Sequence, residues 1–255
     1  MGNKKTNKKK VSSMKTREQK LAEEKALKEK ARKKNLIILI TSIVVVALLI
    51  ASLTTLIIVR NTADPKRPGL KRSGKAYETV YVKMSVKDYG DIILKLDGKE
   101  APKTVSNFVK LVDEGFYDGL TFHRVISNFM IQGGDPAANG SGGSDKKIKG
   151  EFEANGYHNC IAHERGVISM ARGNDYNSAS SQFFICNASG DSVSHLDGNY
   201  AAFGHVIAGM NVVDLITSKT AWKATDNNGS IKKADQAVIS SVVVISEDEA
   251  LSYLE

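Results

Sequence analysis

Cysteine is almost missing from this chain: Cys160 and Cys186 are the only two in 255 residues. They form no C-x-x-C pair and no metal-ligand spacing, which excludes a disulfide scaffold and a zinc-ribbon class. Cys186 closes the apolar run Phe183-Phe184-Ile185, where a buried, inert thiol is expected. A bridge between the two stays open at this point, because sequence carries no distance. The five histidines (His123, His158, His163, His195 and His205) show no ligand pattern, so neither a metal nor a cofactor is expected. Also missing is a Gly-Lys-Ser/Thr ending to the glycine-rich stretch Ala137 to Lys147. Without it that stretch reads as a surface loop bordering a groove, not as a phosphate cradle. There is no internal repeat, and no nucleophile stands beside a base at a spacing that suggests covalent chemistry.

An excess of positive charge is absent from most of the chain despite the formal +8. Residues 1–34 hold 14 of the 36 Lys/Arg and 4 of the 28 Asp/Glu, which leaves 22 basic against 24 acidic side chains beyond them. Basicity therefore belongs to a tail and not to a folded surface, and no nucleic-acid partner is expected. Within the tail, Glu24/Lys28 and Glu29/Lys33 stand at i,i+4 in the favourable order, so a solvated helix is expected there. Leu36 to Val59 then runs for 24 residues without a charge. About 20 apolar residues cross the hydrocarbon core as a helix, so this stretch spans it with some tilt. It is too long for the apolar region of a cleaved signal and has no polar face for a soluble helix. Six basic residues follow between Arg60 and Lys75. The larger number before the span places the amino terminus in the cytoplasm and the remainder across the membrane. The expected organisation is a basic cytoplasmic tail at 1–34, a transmembrane signal anchor at 35–59, a flexible linker at 60–77 containing Pro65 and Pro68, a folded domain at 78–247 and a C-terminal tail at 248–255. The lipid bilayer is thus an expected partner, through residues 36–59.

Inside the folded part, Thr79 to Val86 and Ile92 to Leu96 alternate as paired strands around a turn at Asp88-Tyr89-Gly90. Pro102 opens a helix whose stripe is Val105, Phe108, Val109 and Val112, and Gly115 stops it. Further strands are expected at Thr121–Ile126, Phe129–Gln132, Val167–Ala171, Gln182–Cys186, Ala202–Val206 and Val238–Ile245, with a second helix over Gly209–Ser218. Many short strands with two helices predict a mainly β fold, a closed antiparallel barrel that leaves no open edge.

Phe122 to Asp135, FHRVISNFMIQGGD, is the stretch with the most chemistry in it. Alternation puts Phe122, Arg124 and Ile126 on one face, and Met130 and Gln132 on one face of the strand that follows. Together they make a pleated surface able to hold a small apolar ring and aim a hydrogen-bond donor at its edge. This segment closely resembles the signature of the cyclophilins, peptidyl-prolyl cis/trans isomerases. The resemblance continues through Gly166 to Ala171, Ser181 to Ile185, His195 to Gly198 and Phe203-Gly204, and covers roughly Thr79 to Ile245. It implies an eight-stranded closed barrel capped by two helices. It also implies rotation of X–Pro bonds, with Arg124 as the catalytic donor and Gln132 orienting it. Phe129, Met130, Phe184 and Leu196 match the family's proline pocket, and Ala171, Arg172 and Gln182 match the side of the groove that holds the substrate backbone. His195 and Tyr200 stand where many eukaryotic members carry tryptophan and histidine, and Arg172 replaces an asparagine. These departures resemble a bacterial branch. The expectation is a monomeric, membrane-anchored isomerase facing outward, acting on proline-containing segments of unfolded or exported polypeptides. A non-catalytic proline-segment binding module, or a membrane-tethered holdase, is the alternative.

Overall fold

The computed structural model describes Lys28, Glu29 and residues 77–254. The basic tail apart from those two residues, the apolar run at 36–59 and the linker up to residue 76 lie outside the described residues. Among those described, no helix is long and apolar enough to cross a membrane.

Eight strands form one closed barrel: β1 (Thr79–Val86), β2 (Gly90–Asp97), β3 (Thr121–Ile126), β4 (Met130–Gly133), β5 (Val167–Met170), β6 (Phe183–Cys186), β7 (Ala202–Ala208) and β8 (Ala237–Ile245). They are joined in the order β1-β2-β7-β5-β6-β4-β3-β8, and every pairing is antiparallel. Closure leaves no unpaired edge to template aggregation. The mainly β expectation holds, with strand ends shifted by a residue or two. Phe129 falls in the turn before β4, after Asn128 at φ 58°, and does not begin the strand.

Helix α1 (Pro102–Asp113) starts at a proline, whose missing N–H has no partner to lose in a first turn. Its end is a Schellman motif. Gly115, at φ 66°, donates its N–H to Val112 O (3.0 Å), and Phe116 donates to Leu111 O (2.9 Å). No local side chain caps the start. Instead Glu151, 1 % exposed and 48 residues away from Lys103, accepts from the N–H groups of Lys103 and Thr104 and from the Thr104 hydroxyl, all within 2.9 Å. A carboxylate there satisfies orphan donors and meets the positive end of the helix dipole. Helix α2 (Met210–Thr220) buries Val212, Val213 and Ile216. Both helices send these residues into the cluster that fills the barrel. At its centre Phe108 meets Tyr117, Phe203 and Phe183 at ring separations of 4.9, 5.2 and 5.7 Å. Such tilted and edge-on pairs add about 0.5–1.5 kcal/mol each beyond their buried area.

One expectation needs correcting, and the stretch expected as a C-terminal tail at 248–255 carries structure of its own. Residues Glu247–Leu251 form a short helix α3, capped by the Ser246 hydroxyl and tied to β1 by Tyr81–Glu247 (2.7 Å) and Lys83–Glu249 (3.0 Å). Phe122 does not share a face with Arg124 and Ile126. The register between β3 and β4 shifts between Phe122 and Arg124, and a bulge of this kind breaks the two-residue alternation. Phe122 therefore enters the barrel core beside Val125, while Ile126 packs outside it.

Glu151→Ala removes the remote cap and leaves buried donors unsatisfied. It is expected to lower unfolding free energy by about 3 kcal/mol, read as a lower urea midpoint at unchanged slope. An unchanged midpoint would contradict this account of how α1 begins.

Candidate functional site

Strands β4 and β6 present two faces with different tasks. Ile131, Phe183 and Ile185 point into the barrel core. Their neighbours Met130, Phe184 and Cys186 point outward into a second apolar cluster with Val193 and Leu196. On this outer face lies a cavity of about 140 Å³. Its apolar wall is made by Phe129, Met130, Ala171, Phe184, Leu196 and Tyr200, and its polar rim by Arg124, Gln132 and Arg172. Nine of the eleven site residues expected from sequence thus line one hollow. The other two stand behind it. Gln182 supports Gln132, and His195 stacks on Phe129 with ring centroids 5.7 Å apart and planes 23° apart.

The rim is oriented by a run of hydrogen bonds. Arg124 pairs with Gln132 across β3 and β4, and its Nη1 donates to Gln132 Oε1 at 3.0 Å. Gln132 Nε2 donates to Gln182 Oε1 (2.9 Å), and Gln182 Nε2 donates to the carbonyls of Gly142 (2.7 Å) and Gly140 (3.0 Å). The amide of Gln132 therefore has its oxygen toward Arg124 and its nitrogen toward Gln182. Arg124 Nε donates to the carbonyl of Asn228 at 2.6 Å. Burial lowers the guanidinium pKa from its ordinary value, opposed by coulombic interaction with the Tyr200 phenol oxygen and the Asp226 carboxylate, and arginine remains a cation. Among the described residues no carboxylate lies at ion-pair distance from it, and its Nη2 has no partner.

Sequence reasoning missed the Asn228 carbonyl. It sits on the loop Asp226 to Ser230, where the Asp226 carboxylate accepts from the N–H groups of Asn228 (2.9 Å) and Ser230 (3.0 Å). Those interactions hold the Asp226 carboxyl below its usual range. Gly229 has φ 82°, and a Cβ there would come 2.4 Å from Ile126 Cγ1 and 2.7 Å from the Val125 carbonyl. Asp-Asn-Asn-Gly is a turn signature, so the turn was readable, but its contact with Arg124 was not.

The pocket wall has its own support, also missed. The His163 ring stacks behind Phe184 (6.0 Å, 17°), and Tyr200 meets Phe184 edge-on at 5.8 Å. His163 Nδ1 faces Asp197 Oδ1 at 2.8 Å, and its Nε2 faces the Ser169 hydroxyl at 3.0 Å. Burial lowers the His163 pKa below 6.5 more than Asp197 raises it. The ring is thus neutral, donating Nδ1–H to Asp197 and accepting a hydrogen bond from the Ser169 hydroxyl at Nε2. Ser169 is fully buried, so this Asp-His-Ser arrangement is a brace without access for a substrate. His123, buried in the β3 bulge, is likewise held below 6.5, first by burial. Cys160 and Cys186 are both free. Burial pushes the Cys186 thiol up to about 12, as suits an inert filler behind the pocket.

Residues 81–244 match the family model for cyclophilin type peptidyl-prolyl cis-trans isomerases. A peptidyl-prolyl cis-trans isomerase of Helicobacter pylori is 46 % identical over 158 residues, 61 % of this chain and 88 % of its own length. One from Synechococcus elongatus is 48 % identical over 115 residues, 45 % of this chain and 72 % of its own. Among solved structures, a cyclophilin type isomerase of Cryptosporidium parvum, crystallised in the presence of the dipeptide Ala-Pro, is similar with a TM-score of 0.56 at 29 % identity. That match covers 66 % of this chain and 99 % of the other.

The two lowered histidines carry a consequence for stability. The unfolded chain takes up protons at a higher pH than the folded one, so unfolding free energy rises with pH across this range. Their contribution is complete above about 6.5 and is lost as pH falls through the folded values. Urea midpoints measured at pH 7.5 and pH 5 should therefore drop at the lower pH. A midpoint that holds or rises on acidification would contradict the neutral His163 brace.

Proposed function

Since the chain belongs to the cyclophilin type peptidyl-prolyl cis-trans isomerase family and is an isomerase, we propose that Arg124 drives X–Pro rotation by hydrogen bonding to the proline nitrogen in the hollow beside it. The observation that carries this reading is a guanidinium at the rim of a ring-sized apolar cavity, held by neutral acceptors and with donors to spare.

Rotation of an X–Pro bond loses amide resonance, behind a barrier of about 18–20 kcal/mol. In the planar cis and trans states the nitrogen lone pair is delocalised and accepts poorly. At the twisted midpoint the nitrogen is pyramidal and the lone pair returns. A donor aimed at that nitrogen is therefore stronger in the transition state than in either ground state, which is what acceleration requires. The apolar wall of Phe129, Met130, Phe184 and Leu196 grips the pyrrolidine ring. That grip fixes one side of the bond while the other turns. Gln132 holds the guanidinium plane, and its own amide is fixed by Gln182. Ala171, Arg172 and Tyr200 form the opposite side, along which the substrate backbone lies. No proton transfer, nucleophile or metal takes part.

The context follows from residues outside the barrel. A charge-free run of 24 residues after a tail of 14 basic ones supports a single-pass anchor in the cell membrane, with the amino terminus cytoplasmic and the monomeric isomerase domain outside. Its substrates are then proline-containing segments of exported, still unfolded proteins, whose X–Pro bonds take tens of seconds or more to turn unaided. The departures at Arg172, His195 and Tyr200, with relatives in Helicobacter pylori and Synechococcus elongatus, support a bacterial branch.

Arg124→Ala in the full-length chain, assayed in detergent on an X–Pro peptide, should lower kcat/KM at least tenfold, about 1.4 kcal/mol of transition-state stabilisation. Arg124→Lys, which keeps the charge but loses the fork to Gln132 and Asn228, should fall between the two. Equal rates for all three proteins would remove Arg124 from the mechanism. Topology is tested separately. Trypsin added to intact cells stripped of their wall should release the domain by cutting among Arg60 to Lys75. Release only after lysis would place the domain on the cytoplasmic side.

A further inference from the structure

The rim carries a second guanidinium that bond rotation does not require. Arg172 stands two residues beyond the end of β5 and lines the hollow together with Arg124. Its Nε donates to the Asn199 carbonyl at 3.0 Å and its Nη1 to the Gly173 carbonyl at 2.8 Å. Its Cζ lies 5.2, 4.8 and 4.7 Å from the ring centroids of Phe152, Tyr176 and Tyr200. Aromatic faces attract a cation without neutralising it, and the two carbonyls do not neutralise it either. Among the described residues no carboxylate pairs with Arg172, and its Nη2 makes no hydrogen bond. No acidic side chain lines the hollow. The groove thus presents two fixed positive charges, neither in an ion pair among the described residues, to whatever enters it, and the second is held in place in advance. A preorganised cation with an unused donor edge suits a carboxylate, and Arg172 loses little side-chain freedom in forming the contact.

We propose that Arg172 is a specificity-determining residue that makes this isomerase prefer proline segments carrying Asp or Glu within two residues of the proline. This inference rests on the isomerase reading above and names its substrate class. Because the rim is open to solvent, the advantage is that of a half-exposed ion pair, roughly two- to fivefold per acidic residue at low salt, and it shrinks as salt screens it. It acts on binding and so appears in KM. The twisted bond is contacted by Arg124, so kcat stays nearly even across substrates.

The test uses the full-length chain in detergent and peptides identical except for Glu, Gln or Lys at each of the two positions on either side of the proline. At one or more of these positions kcat/KM should fall in the order Glu, Gln, Lys. The Glu-to-Lys ratio should drop between 20 and 500 mM salt, collapse toward one in Arg172→Gln, and return in Arg172→Lys. Equal rates for the three residues at every position, or a ratio that survives in Arg172→Gln, would overturn the proposal. Should Arg172→Gln fail to fold, Arg172→Met is measured in its place, with the same collapse of the Glu-to-Lys ratio expected and a surviving ratio overturning the proposal. Failure of the isomerase reading looks different: the neutral Gln peptides would then show no acceleration at all.

Discussion

A charged side chain at a barrel wall is ordinarily neutralised by a carboxylate, and the site depends on Arg124 being held otherwise. Its two contacts are a glutamine oxygen and a backbone carbonyl. Both orient the guanidinium plane, and neither cancels its charge. An ion pair in the same place would hold the side chain as firmly but would compete with any acceptor entering the hollow for its field. Neutral acceptors also keep the donor pattern insensitive to pH, since neither titrates. The burial that lowers the Arg124 pKa has a use under the proposed mechanism, because a drier surrounding would strengthen a hydrogen bond formed only at the twisted midpoint.

The scaffold supplies that arrangement through a division between two faces. Phe183 belongs to the inner cluster and Phe184 to the outer one, although they are adjacent in sequence. Rigidity is transferred from one to the other: the inner aromatic packing fixes the strand, and the strand fixes the outer wall. The loops add what strands cannot. His163, braced between Asp197 and Ser169, supports the back of Phe184, and the Asp226 loop carries a carbonyl to Arg124. Most groups that touch the hollow therefore sit on strands or directly after them, as a site needing tight geometry requires. Groups that merely aim them sit on loops.

How much of this was legible varies with the range of the interaction. Period-two alternation correctly separated Phe183 from Phe184 and put Met130 with Gln132, because strand geometry is local. The helix over Pro102–Asp113 was readable from its proline, its stripe and its glycine for the same reason. The family resemblance gathered the pocket residues, which pattern alone would have assigned to an ordinary core. The bulge at His123 was illegible, since a register shift depends on the partner strand. So was the cap of α1 by Glu151, contributed from 47 residues beyond Thr104. The Asn228 carbonyl lay out of reach for a further reason: a backbone acceptor leaves no residue type to read.

The same distinction bears on how such a groove changes its substrates. The placement of Arg124, the proposed donor to the proline nitrogen, involves two strands, a bulge and a remote loop, so substitutions that move it act on several elements at once. Arg172 is different. It is anchored by its immediate neighbour Gly173, by Asn199 and by three aromatic faces, and of these only Tyr200 also bears on Arg124. A charge at that position can be gained or lost without removing either hydrogen-bond acceptor of Arg124. On the proposed reading, the chemistry and the choice of substrate reside in two cations on one rim, held by different hydrogen-bond acceptors and sharing only Tyr200. A fold built this way can alter which segments it prefers while leaving the rotation step as it was.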